Sequence, residues 1–211
     1  MTQQVFAWLD ERLDLSGLRA FVADKTVPKH RHSVWYYMGG ITLFLVGVQV
    51  ATGILLLLYY RPSAGEAYES VQFIVSQVQF GWLIRNLHSW SANLLILMAF
   101  VHLFSTFFLR AYRKPRELVW IFGCLIFLCL MGEAFMGYLL PWGQMSYWGA
   151  QVIINLFAAI PFVGPDLALL IRGDYVVGDA TLNRFFSFHV IALPLVLLGL
   201  VAAHILALHD V

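Results

Sequence analysis

Four long apolar segments constrain this chain more than any other feature of its sequence. They cover residues 33–60, 80–109, 118–140 and 185–208. Each is long enough to cross about 30 Å of hydrocarbon at about 1.5 Å per residue. Hydrophobic residues make up 61% of the 211 residues and charged residues 12%, against about 45 to 50% and 25% in a soluble domain. We therefore predict an all-α integral membrane four-helix bundle.

Residues 1–32 form a polar N-terminal segment ahead of a membrane domain at residues 33–211. Charged residues interrupt this segment, so no signal peptide is predicted. Its apolar residues recur at helical spacing on both sides of a turn expected at Gly17: Phe6, Leu9, Leu13, Leu18, Phe21 and Val22. The pattern is typical of an amphipathic helix on the membrane surface, and an ordinary docking helix explains it equally well.

The basic residues predict the orientation of the bundle. They precede the first apolar segment and join the second to the third: Arg12, Arg19, Lys25, Lys29, Arg31, Arg110, Arg113, Lys114 and Arg116. The positive-inside rule places both regions, and therefore both termini, in the cytoplasm.

Residues 141–184 should form short helices along a membrane surface. The net charge of +1 gives no indication of nucleic-acid binding.

Four histidines lie within the apolar segments, where an ionisable side chain usually marks a functional site. His88 and His102 are 14 residues apart on the second segment, and His189 and His204 are 15 apart on the fourth. Fourteen residues rise about 21 Å and turn about 1400°, close to four full turns. Pairing His88 with His189 and His102 with His204 gives an outer and an inner bis-histidine haem site. Such iron has no open position, so the predicted role is electron transfer.

Glycines repeat the same interval on the other two segments. Gly39 and Gly53 are 14 residues apart, as are Gly123 and Gly137. A glycine permits close approach to the backbone, which predicts contact with the edge of a haem, although small residues also serve helix packing in membranes. Pro194 is expected to bend the fourth helix and absorb its extra residue.

Other polar residues in or near the segments have open or ordinary roles. Arg85 and Arg184 suit the propionates of the outer haem, or they anchor helix ends. Glu133 is a proton relay or the partner of a neighbouring group. His30 and His32 are interpreted as solvated surface residues. The two cysteines, Cys124 and Cys129, cannot form a CxxCH haem attachment site.

Several stretches resemble the cytochrome b family, the central subunit of quinol:cytochrome c and plastoquinol:plastocyanin oxidoreductases. They are VQVATG, FGWLIRNLHSWSANLL, KPRELVW, AFMGYLLPWGQMSYWGA and TLNRFFSFH. The resemblance extends to the short, split form of the family, which ends after four helices. It implies a separate subunit with the C-terminal part of cytochrome b, because the family's Pro-Glu-Trp-Tyr motif is absent here. The stretch around Pro141 is similar to the long mitochondrial-type protein.

Two departures from the family pattern limit what the resemblance implies. Tyr37 stands where chloroplast-type members have a haem-attaching cysteine, so two non-covalent b-type haems and no covalent haem are expected. Ser105 stands where the family usually has an arginine for an inner propionate, and Trp120 with the basic loop at residues 110–116 is expected to compensate. The resemblance also adds Gln49 to the haem-binding residues.

The resemblance further implies two quinone sites and a set of partners. Phe135, Tyr138, Met145 and Gly149 match the outer quinol-oxidation pocket, and His209 matches an inner quinone-contacting histidine. The implied partners are a Rieske iron-sulfur protein, a c-type cytochrome and a second copy of the complex in a bacterial plasma membrane. The predicted function is therefore a dihaem subunit of a proton-translocating quinol oxidoreductase. A dihaem anchor of a dehydrogenase and a haem-free proton-coupled transporter are the alternatives.

Overall fold

A computed structural model describes residues 2–23 and 33–209, and the regular secondary structure of these residues is entirely helical. Within them, four helices are long and apolar enough to cross a membrane: Val34–Leu57, Gly81–Phe108, Glu117–Leu139 and Asp179–His209. The predicted all-α membrane class is confirmed. The first three spans match the predicted apolar segments closely. The fourth span begins at Asp179, before the fourth apolar segment, which was predicted to start at residue 185.

Ten α-helices follow one another in the described residues: α1 Thr2–Leu13, α2 Leu15–Ala23, α3 Tyr37–Leu57, α4 Ala67–Gln77, α5 Gly81–Phe108, α6 Glu117–Leu139, α7 Gln144–Ala158, α8 Gly164–Arg172, α9 Asp179–Ser187 and α10 Leu193–His209. A 3₁₀ turn, Ser33–Tyr36, precedes α3, and a π-helical turn, Phe188–Ala192, joins α9 to α10. The chain divides into two compact units between Tyr37 and Met38. The domain boundary predicted after residue 32 falls outside the described residues and stays a prediction.

The turn in the N-terminal unit is at Asp14 and not at Gly17, so the predicted position is wrong. Asp14 has a φ of 47°, a left-handed conformation that aspartate tolerates. Its carboxylate accepts a hydrogen bond of 3.0 Å from the Gly17 N–H and so caps α2. Asp10 accepts hydrogen bonds from the N–H and hydroxyl of Ser16, which lower the pKa of Asp10.

The spanning helices pack on one another through a buried layer at mid-height. It contains Leu45 and Val46 of α3, Leu95 of α5, Leu130 of α6 and Leu197 of α10. Along each helix, this layer falls about midway between the paired histidines or the paired glycines. The four spanning helices therefore contact one another between the two levels at which the histidines lie.

The outward surface of the bundle is apolar. The side chains of Phe44, Leu128 and Leu195 are between 65% and 70% exposed. Side chains of this kind are stable facing hydrocarbon, and the helices satisfy their own backbone hydrogen bonds. The protein is therefore an integral membrane protein.

Short helices cover the end of the bundle that carries His88 and His189. As predicted for residues 141–184, α7 and α8 lie between the third and fourth spans. Their core is a cluster of buried residues: Ala67, Leu139, Ala150, Ile154, Ala168, Val177, Leu182 and Phe185. The Tyr60 hydroxyl donates to the Leu140 carbonyl at 2.7 Å, and Asp179 accepts from the Ala64 N–H at 2.6 Å. These bonds hold the loops in place over this end.

Candidate functional site

His88 of α5 and His189 of the π turn face each other across the bundle. Their ring centres are 6.3 Å apart, and the rings are nearly perpendicular, at 84°. One metal ion bound between two imidazoles, at about 2.0 Å from each nitrogen and with each nitrogen about 1.2 Å from its ring centre, separates the ring centres by about 6.4 Å. The spacing of this pair therefore fits two axial ligands of one iron.

Both rings of this pair are held through their Nδ1 atoms. His88 Nδ1 lies 2.9 Å from the Thr52 hydroxyl, which itself donates to the Val48 carbonyl at 2.6 Å. His189 Nδ1 lies 3.0 Å from the carbonyl oxygen of Glu133. An imidazole that donates through one nitrogen presents the other as a metal ligand. These bonds leave the Nε2 atoms for iron.

His102 and His204 are the second predicted pair, near the opposite ends of α5 and α10. His204 Nδ1 lies 2.9 Å from the Val119 carbonyl, and the His102 and His204 rings lie against Gly39 and Gly123 of the neighbouring helices. His102 Nδ1 is buried without a hydrogen-bond partner. Of the pairs predicted from the 14- and 15-residue intervals, His88 and His189 face each other directly, and the pairing of His102 with His204 stays a prediction.

Each of the four repeated glycines lies against one histidine ring. A Cβ atom added at Gly39, Gly53 or Gly123 would lie 3.3 Å from the Cε1 atom of His102, His88 or His204, and one at Gly137 only 2.5 Å from that of His189. The structure places an imidazole of this chain at each of the four glycines, and the predicted contact with the edge of a haem stays a prediction. The glycines bring α3 against α5 and α6 against α10 at the height of each ring.

A π turn absorbs the extra residue between His189 and His204. The N–H of Leu193 bonds the carbonyl of Phe188, five residues earlier, so this turn holds one more residue than an α turn. The sequence predicted a bend at Pro194 instead. Pro194 has no N–H for the carbonyl four residues before it, and the wider turn ends just ahead of it. Both histidines consequently face the bundle interior.

No cluster of three or more histidine, cysteine, aspartate or glutamate side chains among the described residues could hold a metal ion by itself. Each pair would supply two nitrogen ligands to an iron, and a porphyrin would supply four more, so the donor set fits a haem and not a site built from protein ligands alone.

The other residues predicted to contact a haem each contact a group of the protein. Gln49 Nε2 donates to the His88 carbonyl at 2.8 Å, so it braces the backbone of α5. The Arg85 guanidinium contacts Asn86, and that of Arg184 donates to the Leu170 carbonyl at the end of α8. Trp120 packs on Tyr112, with ring centres 5.6 Å apart.

Ser105 stands where the family usually has an arginine for an inner propionate. Its hydroxyl donates to the His102 carbonyl of the same helix at 2.8 Å. This bond stays within α5 and supplies no cation. The predicted compensation by Trp120 and the basic loop at residues 110–116 stays a prediction.

The predicted quinol-site residues lie where α6 ends and α7 begins. A Cβ atom added at Gly149 would lie 3.7 Å from the Tyr138 ring, so these two residues are adjacent. Phe135 packs edge-on against Phe185, with ring centres 5.3 Å apart. Met145 is 75% exposed. At the other end of the bundle, His209 is the last residue of α10.

Three contacts of the site were not predicted from the sequence. Thr52 holds the His88 ring, the Glu133 carbonyl holds the His189 ring, and the Val119 carbonyl holds the His204 ring. The signal for Thr52 was its position: it is a polar residue in an apolar segment, directly before Gly53. A backbone carbonyl such as that of Val119 leaves no signal in a sequence.

This fold and site define a class of helical membrane proteins in which histidines lie between the spanning helices at two depths. The family model described as cytochrome b/b6/petB matches residues 22–211. The chain belongs to the cytochrome b family.

Individual relatives differ in length. Cytochrome b of Allochromatium vinosum is 48% identical over 97% of this chain and 49% of the relative. Cytochrome b6 of Oltmannsiellopsis viridis is 42% identical, over 96% of this chain and 94% of the relative. The menaquinol:cytochrome c reductase cytochrome b subunit of Geobacillus thermodenitrificans is 42% identical, over 98% and 95%.

A solved structure titled hyperthermophilic respiratory Complex III matches with a TM-score of 0.87 and 35% identity, over 97% of this chain and 54% of that one. The chain thus spans about half the length of several relatives and nearly all of others. The predicted family is confirmed, and the split form stays a prediction.

Proposed function

We propose that this chain is the dihaem b subunit of a quinol-oxidising cytochrome bc-type complex, an oxidoreductase. The observation that carries the proposal is the facing pair His88 and His189, with ring centres 6.3 Å apart, repeated along the same two helices by His102 and His204. Membership of the cytochrome b family supports it.

The residues of this chain bind and orient two b-type haems. His88 and His189 ligate the outer one, and His102 and His204 the inner one, while hydrogen bonds at Nδ1 fix three of the four rings. Each haem, when bound, supplies a one-electron redox centre without an open coordination position. The glycines let the rings lie close to α3 and α6, and the mid-height layer keeps water from the path between the levels.

The charged and aromatic residues at the two ends serve the propionates. Arg85 and Arg184 lie at the end that carries the outer pair, and Trp120 and the basic loop at residues 110–116 lie at the other. Tyr37 cannot form the thioether bond of a covalent haem, so both haems are held without covalent attachment.

Quinol oxidation takes place in a pocket bordered by Phe135, Tyr138, Met145 and Gly149, and a quinone is reduced beside His209. The quinol releases two protons at the outer side, and one of its two electrons goes to a Rieske iron-sulfur protein and then to a c-type cytochrome. The other crosses the membrane within this chain, a charge movement worth about 2.3 kcal/mol per 100 mV. The rest of the quinol site is supplied by residues beyond this sequence, on a separate subunit in the split form.

The complex is proposed to be a dimer in a bacterial plasma membrane, with both termini of this chain in the cytoplasm. The basic loop at residues 110–116 supports this orientation by the positive-inside rule.

Visible spectra and haem quantitation of the purified complex test the proposal. We expect two acid-acetone-extractable b-type haems per chain, and one haem after His88→Leu or His102→Leu. His32→Leu is the matched control and should retain two. A colourless complex would contradict the proposal, and haem that resists extraction would contradict the interpretation of Tyr37.

A further inference from the structure

Glu133 of α6 places a carboxylate against the imidazole of His189. Its Oε1 atom lies 3.0 Å from His189 Nδ1, the same distance as its own carbonyl oxygen. Both side chains are largely buried, with 17% of His189 and 18% of Glu133 exposed. The second carboxylate oxygen, Oε2, is buried and has no hydrogen-bond partner. The one N–H of the ring is thus shared between a carbonyl and a carboxylate.

The other three histidine rings have no such neighbour. The Nδ1 atom of His88 contacts the hydroxyl of Thr52, and that of His204 contacts a backbone carbonyl. His102 Nδ1 has no partner. Among the residues that the structure describes, the His189 ring is therefore the only one of the four with a carboxylate at hydrogen-bond distance from its Nδ1.

A carboxylate at this position affects the iron through the ligand. An anionic acceptor on the outer N–H of an imidazole makes the ring a stronger electron donor to the metal. This favours the oxidised iron, and hydrogen bonding to the ligand is one of the means by which a protein sets a haem potential. A site with little water screens the charge weakly, so its effect is larger than at the surface.

We propose that Glu133 is a positioning residue that orients the His189 ring and lowers the reduction potential of the haem held by His88 and His189. The proposal rests on the proposed function, because it requires a haem at this pair. Of the two roles that the sequence left open for Glu133, the proposal favours that of partner to a neighbouring group, here the His189 ring. A haem made harder to reduce passes its electron more readily to the second haem of the chain.

The test is a redox titration of the purified complex, with the two haems followed separately in the visible spectrum. In Glu133→Gln, which keeps the size of the side chain and removes its charge, the equilibrium for reduction of this haem should shift at least tenfold towards the reduced form. A tenfold shift is about 59 mV for one electron. The second haem should keep its potential. The ferric electron paramagnetic resonance signal of the first haem should also move.

Glu69→Gln is the matched control, because it removes the same charge from an exposed position on α4. It should leave both potentials unchanged. If Glu133→Gln does not retain this haem, Glu133→Asp carries the test: it keeps the charge but withdraws it by one methylene, and a smaller shift in the same direction is expected.

The possible outcomes separate the two proposals. A variant complex with two haems and unaltered potentials overturns the role of Glu133 and leaves the proposed function intact. An equal shift in Glu69→Gln also overturns it, because the effect would then be a general one of net charge. A wild-type complex without haem overturns both.

Discussion

Single glycines decide how closely the histidine rings approach the neighbouring helices. The distance from an added Cβ atom to the nearest histidine ring atom is 2.5 Å at Gly137 and 3.3 Å at Gly53. At Gly47, an added Cβ atom would have no neighbouring atom within 4 Å. Overpacking a closely packed site typically costs about 1–3 kcal/mol. The effect of one added methyl group should therefore follow these distances.

Gly137→Ala is expected to release or displace the haem of the His88 and His189 pair, because the new methyl group would force the His189 ring away. Gly53→Ala should weaken retention of the same haem less, and Gly47→Ala on the same helix should behave as the wild type. Haem content after purification, measured by pyridine haemochrome, gives the order. Equal retention in all three variants would contradict the close contact.

Thr52 provides a second prediction at the residue scale, since its hydroxyl accepts the hydrogen bond of His88 Nδ1. Thr52→Val removes the acceptor and leaves a buried donor unsatisfied, a change that costs about 1–3 kcal/mol. We expect the haem at this level to dissociate at a lower temperature, followed by Soret absorbance. Thr42→Val is the control on the same helix, because the Thr42 hydroxyl donates to the Gly39 carbonyl of α3 and not to a histidine ring of the described residues. A similar effect of both substitutions would argue against a specific contact.

At the scale of elements, the π turn Phe188–Ala192 keeps two histidines on one face although 15 residues separate them. An α-helix turns about 100° per residue. One additional residue would therefore rotate His204 away from His102 unless a wider turn accommodated it. The position of an insertion or deletion along this helix should consequently matter more than its size.

Deletion of Ile191, inside the π turn, should convert it to an α turn and leave both haems bound. Deletion of Leu200 gives the same 14-residue interval between His189 and His204, but it lies in the regular helix α10 and rotates His204 by about 100°. We expect the Leu200 deletion to lose the haem at the His102 level. The reduced-minus-oxidised spectrum distinguishes the two, and identical haem contents would contradict the role of the π turn.

At the scale of the whole molecule, one buried layer joins all four spanning helices between the two histidine levels. Leu130 of this layer is 4% exposed, whereas Leu128 on the same helix is 66% exposed. The layer is shared by both sites, so its loss should affect them together.

Leu130→Ala should destabilise the bundle by about 2–5 kcal/mol through the cavity that it leaves. We expect both haems to be released in one transition at a lower temperature than in the wild type. Leu128→Ala faces the lipid and should change little. Thermal denaturation followed at the absorbance maxima of the two haems checks this, and independent release of one haem would contradict a common layer.

Local features of the sequence predict the four spans, the two levels of the histidines and the pairing of His88 with His189 that the structure shows. Hydrophobic length and helical periodicity are local properties of a chain, so the intervals from His88 to His102 and from His189 to His204 could be interpreted without coordinates. The family followed from short motifs such as GYLLPWGQMSYWGA.

Only the packing of the helices shows which groups contact the Nδ1 atoms of three of the four rings. Thr52, the Val119 carbonyl and Glu133 come from helices other than those of the histidines they contact. Their contacts depend on the rotation and height of one helix against another, which no single segment encodes. The same reason explains why imidazole rings lie against the glycines. The π turn lies within one helix, directly before Pro194, which has no N–H, and its backbone hydrogen bond absorbs the extra residue that the sequence assigned to a bend.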